Sequence, residues 1–340
     1  MIRRPDLVAA GPGLVLVMIL TGLAYALTLV LPDIFGAVTI GLFLGIIVAN
    51  LRPLAISQPG ARAARAWFLP LGILLLGARL SVADIVSTGL GAVAVLVIDI
   101  VLVLAATLAL GHALGLSQRL AALIGVGTSI CGNTAIAATA PVIRAEERDV
   151  SFAVATITLF GTAAVVVYPL IGHALGMSDV LFGHWVGAAV NDTSQVTATA
   201  FSYSVEAGET ATIVKRTRNT LMVPVLVAVG TGFASRESRH AGTDERRGWL
   251  ASVRKAVPPF LLGFLALALV NSAGLVPAQL SEILTQASQV LIVMALVGVG
   301  LTTSVRQLRQ TGPAPFLMGL TVAVMLAVVS LALFVLIGVR

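Results

Sequence analysis

The sequence predicts an all-α polytopic membrane protein, and three observations lead there. Of the 340 residues, 58% are hydrophobic and 11% charged, where a soluble domain carries about 25% charge and roughly 45–50% apolar residues. Mean hydropathy is +1.03, which excludes a disordered chain as well as a soluble enzyme. Apolar runs approaching the roughly 20 residues of a bilayer-spanning helix recur along the whole chain. The 33 Gly suit tightly packed transmembrane helices, whereas an outer-membrane barrel would show short alternating segments.

Reading the runs between charged or Pro/Gly-rich breaks places about eleven transmembrane helices, near 11–31, 34–51, 66–80, 85–111, 119–143, 150–175, 181–203, 210–234, 254–273, 284–304 and 313–338. Ala24-Tyr25-Ala26 resembles a signal-cleavage site, but the apolar run continues through Leu27 to Leu31, which suits a retained first helix. The runs at 66–80, 119–143, 181–203 and 284–304 are the weakest, by length or polarity. The net charge of +6 reads as a topology signal rather than as nucleic-acid binding. Arg3/Arg4, Arg52, Arg62, Arg65, Arg119, the segment 236–255 and Arg306/Arg309 fall on one side. Asp33, Asp84, the mixed cluster 144–149, Glu206/Glu209 and Glu282 fall on the other. This places the N-terminus in the cytoplasm and the C-terminus outside.

Gly125-Val126-Gly127-Thr128-Ser129 resembles Gly298-Val299-Gly300-Leu301-Thr302-Thr303-Ser304, five segments later and therefore opposite in orientation. One leading helix and two inverted five-helix repeats, 34–175 and 181–338, account for the count, an arrangement common in transporters. A competing match, Val126–Ala140 on Val186–Ala200 without gaps, gives parallel orientation, so the two matches cannot define one repeat.

Three polar constellations lie at membrane depth. Gly127-Thr128-Ser129-Ile130-Cys131-Gly132-Asn133-Thr134 interrupts an apolar segment. A glycine costs a helix about 1 kcal/mol relative to Ala, and uncoiled backbone inside a membrane needs protein or water around it. A broken helix would offer N–H groups to an anion or carbonyls to a cation. Asn191-Asp192-Thr193-Ser194-Gln195 supplies an acid for coupling to H⁺ or Na⁺ and amides for a ligand. Lys215 and Arg218–Asn219 share one helical face, where Arg forks suit sulfate, sulfonate or carboxylate oxygens; Arg216 reads as a lipid headgroup contact. Asp99 sits mid-segment as a second ion-coupling candidate, and Thr302 and Thr303 would mirror the first break. Small-residue helix packing is the bland alternative for the glycines.

Soluble catalytic motifs are missing, so no enzyme activity, cofactor or metal is expected. The single Cys131 excludes an intramolecular disulfide. A serine hydrolase built on Ser129 would need a nearby base, and His112, His173, His184 and His240 all lie at segment ends or in loops.

The first motif, together with Asp192-Thr193-Ser194-Gln195-Val196, Ile213-Val214-Lys215 with Arg218-Asn219, and Gly298-Val299-Gly300-Leu301, resembles the YeiH-type sulfate exporter family over essentially the whole chain. Members are bacterial inner-membrane proteins, similar in fold to sodium/proton antiporters and bile-acid symporters. The resemblance implies inverted repeats, two crossing discontinuous helices in a core domain, and a panel domain. The residue before the acid is commonly His in the family and is Asn191 here, so Asp192 or Asp99 would carry proton coupling.

The expected function is a secondary transporter of a small anion, with a cation/proton antiporter and a passive channel as rivals. The expected substrate site comprises Thr128, Ser129, Cys131, Gly132, Asn133, Thr134, Thr193, Ser194, Gln195, Lys215, Arg218, Asn219, Thr302 and Thr303. Expected partners are the anion, H⁺ or Na⁺, membrane lipid and a second copy in a homodimer. This reading depends on uncoiled backbone near residue 130 facing a watery pocket lined by hydroxyls and amides.

Overall fold

A computed structural model of the chain describes residues 7–31, 36–51, 57–79, 88–240, 259–303 and 312–339. Among them every regular element is a helix. Six are long and apolar enough to cross a bilayer: α1 (Leu7–Thr28, counted from Ala10), α3 (Gln58–Leu76, extended by a 3₁₀ turn to Arg79), α4 (Leu90–Ala113), α7 (Glu147–Ala174), α13 (Ala278–Leu301) and α14 (Ala314–Leu336). Two shorter apolar helices, α2 (Ala37–Leu51) and α12 (Pro259–Ser272), accompany them. The charged connections expected at Arg3/Arg4, Asp33, Arg52, Asp84, 241–255 and Arg306/Arg309, and Ser304 beside them, lie outside the described residues.

The helices form two groups. In the first, α13 packs along α2 and α3, with α1 and α12 against the outside of α3. Small residues allow that closeness. A Cβ on Gly45 would stand 3.0 Å from the Cα of Gly300, and one on Gly298 would stand 2.6 Å from the Ala61 carbonyl oxygen. The expected second break is therefore absent from this segment. Helix α13 runs unbroken through Gly298 and Gly300, because those glycines seat it against α2 and α3. Thr302 and Thr303 then close its end, with both hydroxyls on the Val299 carbonyl (2.9 and 2.8 Å).

The second group holds both interruptions. The expected segment 119–143 is α5 (Gln118–Ser129) and α6 (Asn133–Val142), and the expected segment 181–203 is α8 (Asp179–Ala189) and α9 (Thr193–Phe201). Neither pair crosses from one face to the other. Arg119 Nε donates to the Ile143 carbonyl at 3.0 Å, and Ser117 Oγ donates to Asp149 Oδ2 at 2.7 Å. The two ends of α5–α6 are thus neighbours. Likewise Tyr203 Oη donates to the Met177 carbonyl at 2.7 Å and stacks on Phe182 at 3.9 Å. Both segments are helical hairpins whose chain turns back at the break. Ser117 and Ser178 cap their entering helices by accepting the amides of Leu120 and Leu181.

This geometry corrects the topology drawn from charge alone. The cluster 144–149 lies on the same face as Arg119, not opposite it, and a cavity of about 460 Å³ lined by Arg119, Arg148 and Asp149 also includes Arg236. It also revives the gap-free match. A hairpin followed by one long helix reverses the direction from which the next hairpin enters, so α5–α6 and α8–α9 approach each other from opposite faces, separated by α7. The breaks align at 130–132 and 190–192, and the paired Thr139 and Thr199 each bond the carbonyl one turn back, at 2.7 and 2.6 Å.

After α9 come α10 (Val205–Thr220) and α11 (Met222–His240), interrupted only at Leu221. Single cysteines replacing Ser117 and Ala145 in a Cys131→Ala background should react with an impermeant thiol reagent from one face of oriented vesicles. Replacements of Ser178 and Ser204 should react from the other. Opposite-face labelling of the first two positions would restore a crossing helix.

Candidate functional site

The hairpin tips meet. A Cβ on Gly132 would stand 3.5 Å from the carbonyl carbon of Asn191 and from the amide nitrogen of Asp192. Gly132 holds φ +65° and ψ −127°, a conformation that L side chains strongly disfavour. The expected uncoiling at residue 130 is present. Helix α5 stops at Ser129, and α6 begins at Asn133. Twelve residues at 1.5 Å rise carry α5 about 18 Å inward, roughly half the ~30 Å hydrocarbon core.

A helix that ends inside a membrane leaves its last carbonyls without partners and its dipole negative at that end. Two such ends meet here, and α10 supplies both cations that answer them. Lys215 and Arg218 share a face, one turn apart, and are each 1% exposed. Lys215 Nζ donates to the carbonyls of Ile130 (2.8 Å), Val190 (3.0 Å) and Asn191. Arg218 Nε donates to Ser129 O at 2.7 Å, and its terminal nitrogens donate to Thr128 O, to Val190 O at 2.9 Å and to Gly187 O at 3.5 Å. With Val126 O bonded by Ile130 N and Gly127 O by Gly132 N, the C-terminal carbonyls of α5 from 126 to 130 are all accounted for. The sequence reading gave both cations to a substrate anion. In the structure they hold backbone, because two negative helix ends converge on them.

The N-terminal ends differ. Asp192 caps α9, accepting from Ser194 N at 3.0 Å and Ser194 Oγ at 2.7 Å. The cap of α6 is Gly132, which has no side chain to offer. Asn133 Nδ2 instead reaches outward to the hydroxyls of Thr39 on α2 (2.7 Å) and Thr158 on α7 (3.2 Å). Thr39 and Thr158 were missed in the sequence, where each is one hydroxyl in an apolar helix.

Ten buried side-chain atoms among the described residues lack a hydrogen-bond partner. They belong to Thr21, Asp99, Thr128, Ser129, Thr156, Asn133, Asn191, Gln195 and Asn219, and six of these nine residues lie on the hairpins or on α10. Each such atom costs about 1–3 kcal/mol unless water or a ligand completes it. Gln195 Nε2 makes one long bond, to Thr162 Oγ1 at 3.4 Å. Asp99 is 3% exposed, with both oxygens unpartnered and the Arg218 charge nearby.

The remaining expected residues divide. Thr193 and Ser194 are half-buried at the α9 start, and Thr134 is half-buried in the first turn of α6. Cys131 is buried, with its thiol 3.9 Å from Met222 Sδ. Thr302 and Thr303 are not brought to the tips. Thr303 bonds Ser151 at 2.7 Å, in the first turns of α7, seven residues or about 10 Å along that helix from Thr158.

The residues around 130 are buried, and a cavity of about 350 Å³ between α7, α8 and α14, which includes Asn191, is lined mainly by apolar side chains. Tyr168 and Trp185 stack in its wall at 4.2 Å, and Asn191 marks its polar end. Among the described residues no three His, Cys, Asp or Glu side chains gather as a metal site would.

Arg218→Ala would leave four carbonyls short of a donor and should lower stability by at least about 3 kcal/mol, read as thermal unfolding in detergent. Arg218→Lys should recover only part, since the charge returns without the fork. Melting of the Ala variant at the parent temperature would show that the helix ends are held by other means.

Comparison with known proteins follows the whole chain. It is 33% identical over 301 residues to a UPF0324 membrane protein of Clostridium tetani, covering 86% of each. It is 35% identical over 285 residues to the UPF0324 membrane protein TauZ of Paracoccus denitrificans, covering 83% of this chain and 81% of that one. A UPF0324 membrane protein of Streptococcus agalactiae is 32% identical over 336 residues, covering 96% and 97%. No solved structure matches the chain. The family described as "Conserved hypothetical protein 698" matches residues 12–319, in keeping with the YeiH-type resemblance that the motifs carry. The chain therefore belongs to the Conserved hypothetical protein 698 family of UPF0324 membrane proteins.

Proposed function

We propose that the chain is a secondary transporter of a small anion in the bacterial plasma membrane, with sulfate or an organosulfonate as the first substrates to test. One observation carries this reading: buried polar atoms without partners gather where two broken helices meet at mid-membrane depth. Hydroxyls of Thr128 and Ser129 and amides of Asn133, Asn191 and Gln195 would be completed by a substrate and its water. An anion is favoured over a neutral solute by the α6 N-terminus, which has no capping side chain, with Lys215 and Arg218 behind it. Asp192 or Asp99 would couple transport to H⁺ or Na⁺.

The chain crosses the membrane nine times in this reading, with α10–α11 as one passage and the two hairpins entering halfway. The inverted unit is a hairpin with its following long helix. Arg65, Arg119, Arg144, Arg148 and Arg236 share the face of the first hairpin's mouth, while Asp179, Glu206, Glu209 and Glu282 lie toward the other. By the positive-inside rule this charge difference supports a cytoplasmic first face and a C-terminus outside.

A cation/proton antiporter is the second reading, favoured by the unpartnered Asp99 carboxylate and the amide oxygens. Proteoliposomes separate the two. Labelled sulfate or taurine should exchange in counterflow, which a passive pore cannot drive uphill. Ser129→Ala and Asn133→Ala should each slow exchange about tenfold, the effect of losing one hydrogen bond of roughly 1.4 kcal/mol. Na⁺-driven change of lumenal pH with no anion present, and no counterflow, would decide for the antiporter.

A further inference from the structure

Helices α4 and α14 turn apolar surfaces outward over most of their length, and α10–α11 does not. Exposed side chains on α4 include Val97, Ile98, Val101 and Leu102; on α14 they include Leu317, Leu320, Val324 and Val328. On α10–α11 the exposed positions are Val205, Glu206, Glu209, Ile213, Arg216, Pro224, Ala228, Gly232 and Arg236, and from 214 to 236 no large hydrophobic side chain is exposed.

The depth of Arg216 makes this decisive. Its neighbours Lys215 and Arg218 touch both hairpin tips, so its backbone lies near mid-membrane, where an Arg facing hydrocarbon is costly and rare. The nearer headgroup layer is about 15 Å away, half of a ~30 Å core, farther than an Arg side chain extends. Its guanidinium makes no hydrogen bond or ion pair with the described residues. One turn on, Asn219 is 7% exposed and carries an unpartnered Oδ1.

We propose that this side of α10–α11 lines a water-filled groove, and that Arg216 is the free cation drawing small anions along it toward the hairpin tips. The inference rests on the anion-transport reading and divides the labour among three adjacent cations. Lys215 and Arg218 are committed to backbone. Arg216 alone of the three is available to a solute. Glu206 and Glu209, nearer the second hairpin's mouth, belong to the same wetted side, and the groove's positive end is its deep end.

The test needs no knowledge of the substrate. In a Cys131→Ala background, single cysteines replacing Ile213 and Pro224 would flank Arg216, and replacements of Val97 and Val324 would report lipid-facing positions. Charged thiosulfonate reagents, one a sulfonate and one a quaternary ammonium, are applied to membrane vesicles. Positions 213 and 224 should react at least about tenfold faster than 97 and 324. Adding Arg216→Gln should lower the sulfonate-to-ammonium rate ratio about tenfold, the low end of field focusing in a charged cleft.

Unreactive cysteines at 213 and 224 would overturn the groove, and their cross-linking between two copies would assign the surface to a dimer instead. A ratio indifferent to Arg216→Gln would overturn the role of that residue. Should the ratio fall as expected while labelled sulfate and taurine fail to exchange, the groove stands and the anion-transport reading alone fails.

Discussion

Two cations on one helix answering the carbonyl ends of two others is the interaction on which this fold depends. Ending α5 and α8 at mid-membrane exposes backbone that neither lipid nor apolar side chains can satisfy. Lys215 and Arg218 provide six contacts to those ends besides the long bond to Gly187. The same pair locks the tips together, because Val190 O accepts from both residues while each also holds α5 carbonyls. Buried positive charge is costly in isolation. Here it faces two negative dipole ends, and neither part would be stable without the other.

That arrangement explains an asymmetry between the two ends of each break. The carbonyls of α5 from Val126 to Ile130 all have donors, and those of Val190 and Asn191 at the end of α8 are held by the two cations. The amide ends are served by a carboxylate at α9 and by no side chain at α6. Polar side-chain atoms without partners lie on both sides of the breaks, at Thr128, Ser129, Asn133, Asn191 and Gln195, and extend to Asn219. In the transporter proposed above, a substrate would complete those atoms while the scaffold's own hydrogen bonds to the helix ends remain intact. The apolar cavity beside Asn191 complements it by keeping the low-dielectric wall that strengthens every charge nearby.

Much of this was legible in the chain. The break at Gly127–Thr134 announced itself because polar and glycine residues interrupt an apolar run, and the same logic located 191–195. The direction of the chain after each break was not legible. A twenty-residue apolar run with a polar middle reads alike whether it continues or folds back, and only contacts such as Arg119 with Ile143 tell them apart. That single ambiguity carried the 144–149 cluster to the wrong face and set aside the gap-free match as parallel. Gly298 and Gly300 misled for a related reason: the residue type that permits a break also permits close helix contact, and α13 uses the latter. The partners of Lys215 and Arg218 were illegible because they are main-chain atoms, which every residue possesses.

The division into two helix groups limits how such a molecule can move. Helices α2, α3 and α13 touch the hairpin group lightly, along α6 and α7. Polar links between the groups include Asn133 to Thr39, Thr39 to Thr158 at 3.5 Å, Ser151 to Thr303, and Arg65 to Glu147 at 2.5 Å with Arg65 also on Ala145 O at 3.0 Å. Within the hairpin group, α10 is bonded to both tips at once. A shift of one hairpin without the other would strip donors from buried carbonyls, whereas a shift of the whole group against α2, α3 and α13 would exchange side-chain bonds such as these. The Asn133–Thr39 bond joins the site directly to that boundary. In the proposed transporter a ligand on Asn133 and the grip of Asn133 on Thr39 would draw on the same amide, which would let binding at the tips bias the position of one group against the other.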